Sequence, residues 1–102
     1  MTIALFTHPE CRLHDMGPGH PECGQRLDAI SDHLRATGLD MALSFHDAPL
    51  ASHADLLLAH TEGYLAELDD RLRQVESTGE RVAFDPDTVA CAHTRSAALH
   101  AA

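Results

Sequence analysis

Residues 8–23 concentrate side chains of the types that bind metal ions. Structural zinc takes four thiolate or imidazole ligands. This segment supplies five candidates at intervals of three, three, six and three residues: His8, Cys11, His14, His20 and Cys23. Against zinc, the segment has no Cys-x-x-Cys pair, and two His-Pro steps stiffen the backbone beside candidate ligands. A stand-alone binding or zinc-carrying module therefore stays open as one hypothesis.

The composition restricts the partners of the chain. Sixteen acidic and seven basic residues among 102 give a formal net charge of −9. A phosphate backbone would be repelled, so we predict no nucleic-acid partner. Apolar runs such as LLLA at 56–59 are far too short to cross a bilayer, so we predict no membrane partner. The oligomeric state stays unknown.

The cysteines indicate the compartment. The chain has three of them, an odd number, and its first residues lack the basic and apolar regions of a signal peptide. Unpaired cysteines are typical of reducing environments. We therefore expect a reduced, cytoplasmic protein.

Strands and helices alternate along the first half of the chain, which predicts the α/β class. TIALF at 2–6 has the pattern of a buried strand, and ALSFHDA at 42–48 is compatible with a second one. A helix predicted over about 22–36 would join them, with Pro21 at its first position and Gly38 as its stop. A helical crossover of this kind makes the two strands parallel.

Two further helices are predicted after the second strand. Ser52 can cap a short one that ends near His60. Thr61 can cap a longer one, which carries an apolar stripe at helical spacing: Leu65, Leu68, Leu72 and Val75.

The remaining segments are predicted to be irregular. Residues 7–21 contain three prolines and two glycines, too many for a regular element. STGERVAFDPDT at 77–88 is predicted to be a loop with at most a short extended piece. Asp87 or Thr88 can then cap a last helix that runs into the C-terminus.

Three blocks of the sequence resemble, in order, the opening third of the histone deacetylase-like amidohydrolases, which include acetylpolyamine amidohydrolases and class II-type deacetylases. The blocks are LHDMGPGHPECGQRLDAI, LLLAHTEGYLAEL and FDPDTVACAHTRSAALHAA. Their most specific part is Gly-x-Gly-His-Pro-Glu followed by Arg26 and Leu27. The resemblance implies that residues 1–102 are a single incomplete domain, the N-terminal segment of a deacetylase domain. The implied fold is the arginase-deacetylase type, an open parallel sheet flanked by helices.

The resemblance also implies an activity, zinc-dependent hydrolysis of an acetylated amine such as acetyl-lysine or an acetylpolyamine. Zinc would belong to the complete domain, and the remainder of that domain would be the partner of this chain. The family's Asp-x-His zinc element and its His-His pair do not occur in the sequence. The single tyrosine, Tyr64, matches a structural tyrosine of the family. We therefore predict no catalytic residue, no zinc ligand and no activity for the chain alone.

The resemblance assigns site residues to a first channel loop. Four of them form the wall of the substrate channel: Gly19, His20, Pro21 and Glu22. Arg26 follows six residues after His20, and the family places this arginine beside an internal cavity that holds or releases acetate. Simpler roles are a loop anchor for His20, small packing residues for Cys11 and Cys23, and an ordinary exposed residue for Arg26.

A second channel loop is assigned to FDPDT at 84–88. In the family an acidic residue of this loop accepts a hydrogen bond from the substrate backbone. Asp85 and Asp87 are both candidates, and helix capping is an equal alternative for Asp87.

Overall fold

The structure is a computed structural model that describes residues 2–102. It has two small sheets and four α-helices. The strands are β1 (Ile3–Thr7), β2 (Leu43–Asp47), β3 (Val82–Asp85) and β4 (Thr88–Ala90). The helices are α1 (Gln25–Thr37), α2 (His53–Leu56), α3 (Glu62–Thr78) and α4 (Thr94–Ala101), and two short 3-10 helices cover Pro9–Leu13 and Leu39–Ala42. The predicted α/β class is confirmed.

β1 and β2 form a two-stranded parallel sheet. Their register runs from Ile3 opposite Leu43 to Thr7 opposite Asp47. The pairing continues one residue further, because the Ala48 amide donates to the Thr7 carbonyl at 2.9 Å. α1 lies between the two strands in sequence, so the predicted crossover unit with parallel strands is correct.

The helix boundaries follow from capping groups. The Ser52 hydroxyl accepts from the Asp55 amide, and the Asp55 carboxylate accepts in return from the Ser52 amide. The Thr61 hydroxyl accepts from the Tyr64 amide at the start of α3. Gly79 ends that helix at a φ of 71°, a conformation that costs glycine little. The caps predicted at Ser52 and Thr61 are thus confirmed.

α1 begins at Gln25, three residues later than predicted. The delay has a local cause: the Glu22 amide donates to Nδ1 of His20 at 3.0 Å, which keeps residues 20–22 in a turn. The helix then starts from Gly24, whose φ and ψ are already helical.

The predicted apolar stripe of α3 packs on the second sheet. Leu72, Val75 and Ala90 form a buried cluster, against which Leu68 and Phe84 are partly buried. Because Ala90 belongs to β4 and Phe84 to β3, this cluster joins α3 to the β3–β4 hairpin. Leu65, the first residue of the stripe, is also buried.

Two segments predicted to be irregular are regular in the structure. Pro9–Leu13 forms a 3-10 helix, which Pro9 tolerates at its first position, and Nδ1 of His8 accepts from the Glu10 amide to cap it. Residues 82–90 form the antiparallel β3–β4 hairpin instead of a loop and a cap.

The last helix therefore has a different beginning from the one predicted. Thr88 lies in β4, and Asp87 lies in the hairpin turn, so neither caps it. α4 begins at Thr94, after a turn at residues 92–93. The expected Asp87 or Thr88 cap was wrong.

α4 packs against the N-terminal segment. Nδ1 of His14 lies 2.8 Å from the Thr94 hydroxyl, and the Ser96 hydroxyl donates to the Glu10 carboxylate. The His8 and His100 rings stack with their centroids 3.5 Å apart. These contacts connect residues about 80 to 90 positions apart.

The parallel sheet leaves large apolar side chains exposed. Ile3, Phe6 and Phe45 are 59%, 60% and 57% exposed. Within residues 2–102, no helix is long and apolar enough to cross a membrane.

Candidate functional site

Residues 14–24, the channel loop from here on, adopt a defined conformation through two glycines and one aspartate. Gly17 and Gly19 have φ values of 111° and 77°, which L side chains rarely adopt. The Asp15 carboxylate accepts from the Gly17 amide at 2.9 Å, and the Gly17 carbonyl accepts from the His20 amide at 3.4 Å. The loop is a sequence of tight local turns.

His20 connects the channel loop to the β3–β4 hairpin. Its Nδ1 accepts from the Glu22 amide, so in the neutral ring the proton is on Nε2. Nε2 lies 3.3 Å from the Asp87 carboxylate. His20 therefore anchors the loop through its backbone, which is the simpler role predicted for it. It also contacts Asp87 of the second predicted channel loop.

Asp85 and Asp87 have different surroundings. The Asp85 carboxylate accepts from the Asp87 amide at 2.9 Å. This hydrogen bond, followed by one with the Thr88 hydroxyl, lowers the pKa of Asp85 below its ordinary value. Asp85 is thus engaged in the hairpin turn, whereas the Asp87 side chain is 95% exposed beside His20.

Asp15 and Arg81 form a second connection between the channel loop and the hairpin. Nε and Nη2 of Arg81, the residue before β3, donate to the same Asp15 oxygen at 3.2 and 2.5 Å. Hydrogen bonding by Arg81, with the Gly17 amide second, lowers the pKa of Asp15. Sequence reasoning missed this pair, because nothing local relates two residues 66 positions apart.

The channel loop and Arg81 enclose a cleft of about 700 Å³. Gly17, Pro18, Gly19 and His20 line it on the loop side. Arg12, which pairs with Asp28 of α1 at 2.5 Å, is the second arginine of the cleft.

Arg26 is an exposed residue in the first turn of α1 and lines a separate cavity of about 330 Å³. Thr94, Ala97 and Ala101 contribute the α4 wall of this cavity. In the described part of the chain Arg26 has no ion pair, so its guanidinium has no carboxylate partner. Its proposed role toward acetate stays a prediction.

The remaining lining residues of the cavity include Cys11 of the 3-10 helix Pro9–Leu13 and Cys23 of the channel loop. Cys11 and Cys23 are partly buried, and the Cys11 thiol points at the Ala97 carbonyl at 3.8 Å. Cys91, a third free cysteine, is buried where its sulfur accepts from the Asp15 amide at 3.4 Å. Each of these two contacts joins segments that are distant in sequence.

The five candidate zinc ligands do not assemble. Within residues 2–102, one group of three metal-binding side chains has its ligand atoms within 4.8 Å of one another, and it comprises His8, Glu10 and His100. Of the five predicted ligands, only His8 belongs to this group. The structure therefore does not assemble the zinc module predicted from His8, Cys11, His14, His20 and Cys23.

The His8–Glu10–His100 group is itself a poor metal site. A metal ion lies in the plane of an imidazole that binds it, along the nitrogen lone pair. The His8 and His100 rings are inclined by only 5° with centroids 3.5 Å apart, so no single ion lies in both planes. Nδ1 of His8 is already occupied by the Glu10 amide. The described residues thus offer no site that fits zinc.

Comparison with known proteins gives the evolutionary context. No family model matches the chain. Polyamine deacetylase HDAC10 of Rattus norvegicus is 32% identical over 104 residues, and that of Mus musculus is 33% identical over 104 residues, each match covering 95% of this chain. The chain spans only 16% and 14% of the length of these two relatives.

A solved structure shows the same fold. The crystal structure of the HDA15 HD domain matches 98% of this chain and 29% of that chain, with a TM-score of 0.77 and 23% identity. At 23% sequence identity, this structural similarity establishes the fold of the chain and nothing further. The sequence similarity to the two polyamine deacetylases supports homology of this chain to a segment of the histone deacetylase-like proteins.

Proposed function

We propose that the chain is part of a deacetylase domain that hydrolyses acetylated amines, and that it supplies two walls of the substrate channel. The observation that carries the proposal is the similarity to polyamine deacetylases over 95% of the chain. The geometry agrees with it, because the two predicted channel loops, 67 residues apart at His20 and Asp87, meet in space.

The exposed β1–β2 sheet supports the proposal that this chain is part of a larger domain. Parallel sheets are normally covered on both faces, and their strands are apolar on both sides for that reason. Here β1 and β2 form a sheet of only two strands with Phe6 and Phe45 exposed. We infer that this chain is the N-terminal part of the deacetylase domain and that the remainder of the domain covers these side chains.

The two hairpin aspartates would have separate tasks. Asp85 would hold the turn, since its carboxylate is used by backbone amides. Asp87 would present its exposed carboxylate to an N–H group of the substrate, with His20 orienting it.

We propose an acetylated polyamine as the substrate, with acetyl-lysine as the second candidate. Both named relatives are polyamine deacetylases. A polyamine that carries one acetyl group keeps further ammonium groups, and the net charge of −9 attracts a cation of this kind. The three free cysteines support a reducing, cytoplasmic location.

The catalytic zinc of such a domain would need ligands from outside this chain, because the described residues do not fit it. Arg26 would act on the product side. Its planar fork, which has no ion pair among residues 2–102, can bind the carboxylate of acetate with two hydrogen bonds.

The proposal is tested by comparing this chain with a domain that contains it. The purified 102-residue chain, supplied with zinc, is expected to show no turnover of a monoacetylated diamine or an acetyl-lysine peptide. The complete domain is expected to hydrolyse the acetylated diamine faster than the peptide, and Asp87→Asn is expected to raise KM for the diamine.

Two results would contradict the proposal. One is zinc-dependent turnover by the chain alone that a hydroxamate blocks, which would place a catalytic site within these residues. The other is a complete domain that hydrolyses neither substrate. A preference for the peptide would agree with the proposed deacetylase activity but would favour acetyl-lysine over the acetylated polyamine as the substrate.

A further inference from the structure

Two side-chain contacts join the described channel loop to the β3–β4 hairpin. Asp15, near the start of the loop, bonds to Arg81, which directly precedes β3. His20, at the tip of the loop, bonds to Asp87 in the turn between β3 and β4. The loop and the hairpin are therefore joined at both ends of β3.

The Asp15 connection has the stronger geometry. Arg81 donates two hydrogen bonds, from Nε and Nη2, whereas the single His20–Asp87 contact is 3.3 Å long. Charge-assisted contacts with two donors fix orientation better than a single long contact. The side chains of Arg81 and Asp15 are about half exposed, at 48% and 52%. An exposed ion pair adds little to the stability of the fold, so the main effect of this pair is to orient the loop.

The Asp15 carboxylate links Arg81 to the loop backbone through hydrogen bonds. Its Oδ2 accepts from Arg81, and its Oδ1 accepts from the amide of Gly17, the residue with a φ of 111°. The Gly17 carbonyl in turn accepts from the His20 amide. A chain of three hydrogen-bonded steps thus runs from the Arg81 guanidinium to the backbone of His20.

We propose that Arg81 is a positioning residue that fixes the channel loop through Asp15 and so sets where Gly17–His20 face the cleft. The role in substrate binding rests on the proposed deacetylase function, whereas the effect on the loop does not. Losing Arg81 loosens the turn at Gly17 and removes one of the two side-chain contacts between the described loop and the hairpin. The His20–Asp87 contact and the bond from the Asp15 amide to Cys91, the residue after β4, are then left.

Arg12 provides a matched control. It lines the same cleft, and it forms an ion pair of the same length and similar exposure, 51% and 48%, but with Asp28 of α1. Arg12→Gln removes one positive charge from the cleft, as Arg81→Gln does, and leaves the loop–hairpin connections intact.

The test is amide hydrogen exchange of the 102-residue chain at Gly17, His20 and Glu22, three loop amides whose acceptors lie within the loop itself. Arg81→Gln is expected to speed exchange at Gly17 and His20 about threefold. The effect is small because an exposed ion pair contributes little stability. Arg81→Lys, which keeps the charge and loses the fork, is expected to give an intermediate rate and also serves if Arg81→Gln folds poorly. Arg12→Gln is expected to leave these amides at wild-type rates.

Unchanged exchange in Arg81→Gln, or equal acceleration in Arg12→Gln, would overturn the proposal. In the complete domain, Arg81→Gln is expected to raise KM about threefold for the acetylated diamine with little change in kcat, and an unchanged KM would overturn its role in substrate binding. A wild-type domain without activity would contradict the proposed function, and the exchange result would still decide the effect on the loop.

Discussion

Asp85 and Asp87 show how neighbours determine the role of a side chain. The two aspartates are separated by one proline, and nothing in the sequence distinguishes their tasks. In the structure Asp85 accepts from two groups of its own turn, whereas Asp87 projects into solvent beside His20. Asp85 uses part of its acceptor capacity within its own turn, so the Asp87 carboxylate has more of that capacity open to a ligand.

The Arg26 prediction belongs to this scale. In the complete domain, Arg26→Ala is expected to lower turnover about tenfold or more, because a lost charge-assisted contact costs about 1.5–3 kcal/mol. Arg26→Lys is expected to restore little, since an ammonium group is a point charge without the planar fork. Steady-state turnover and inhibition by acetate measure both effects.

Arg35→Ala is the control for Arg26. Arg35 lies on the same helix, is 72% exposed and pairs with Asp32. Its removal is expected to leave turnover unchanged. Wild-type turnover and unchanged acetate inhibition in Arg26→Ala would show that Arg26 is an ordinary surface residue.

At the scale of elements, the sequence predicts those whose signals are local. Ser52 and Thr61 lie directly before their helices, and the stripe from Leu65 to Val75 repeats at helical spacing. These signals suffice because a helix is built from contacts three and four residues apart. The parallel pairing of β1 and β2 followed from the helical crossover predicted between them.

The elements that were missed depend on contacts that the local sequence does not show. The β3–β4 hairpin contains Pro86 and two aspartates, which favour a loop, and it is stabilised by the packing of Phe84 and Ala90 on α3. The Arg81–Asp15 pair joins distant segments. Contacts of this kind follow from the fold, so one sequence read by itself does not reveal them.

Gly24 supports a prediction about how the elements meet. A Cβ atom built on Gly24 would lie 2.5 Å from the Arg12 carbonyl oxygen, which is backbone and has little freedom to move. Gly24→Ala is therefore expected to lower the free energy of unfolding by about 1–3 kcal/mol. Chemical denaturation of the isolated chain measures it.

Gly63→Ala is the matched substitution. Gly63 lies in the first turn of α3 with open space around its Cβ position, so alanine is expected to raise the free energy of unfolding by about 0.5 kcal/mol. If both variants were equally stable, the close approach of Gly24 to the 3-10 helix Pro9–Leu13 would be wrong.

At the scale of the whole molecule, the chain has a thin core and an uncovered sheet. The buried cluster lies between α3 and the hairpin, whereas the β1–β2 sheet carries exposed aromatic side chains. The Phe6 ring is 60% exposed and stacks on His46, with the ring centroids 5.1 Å apart. Much of the sheet's apolar surface therefore contributes little to the stability of the chain alone.

Phe45 gives this statement a measurable form. In the isolated chain Phe45→Ala is expected to change the free energy of unfolding by no more than about 0.5 kcal/mol, because the side chain is already exposed. In the complete domain the same change is expected to cost about 3 kcal/mol, as for a buried phenylalanine. Chemical denaturation of both proteins makes the comparison.

Leu72→Ala is the reference for Phe45→Ala. Leu72 is buried in the chain itself, so its substitution is expected to cost about 2–5 kcal/mol in both proteins. An equally small effect of Phe45→Ala in both would show that the remainder of the domain does not cover the sheet.

The contacts of α4 have a consequence for synthesis on the ribosome. His8, Glu10 and His14 find their partners in residues 94–100, and Asp15 finds Arg81. A chain is made from its N-terminus at about 5–20 residues per second, so residues 8–15 wait several seconds for the helix and the hairpin that hold them. The channel loop is thus translated well before the helix and the hairpin that hold it.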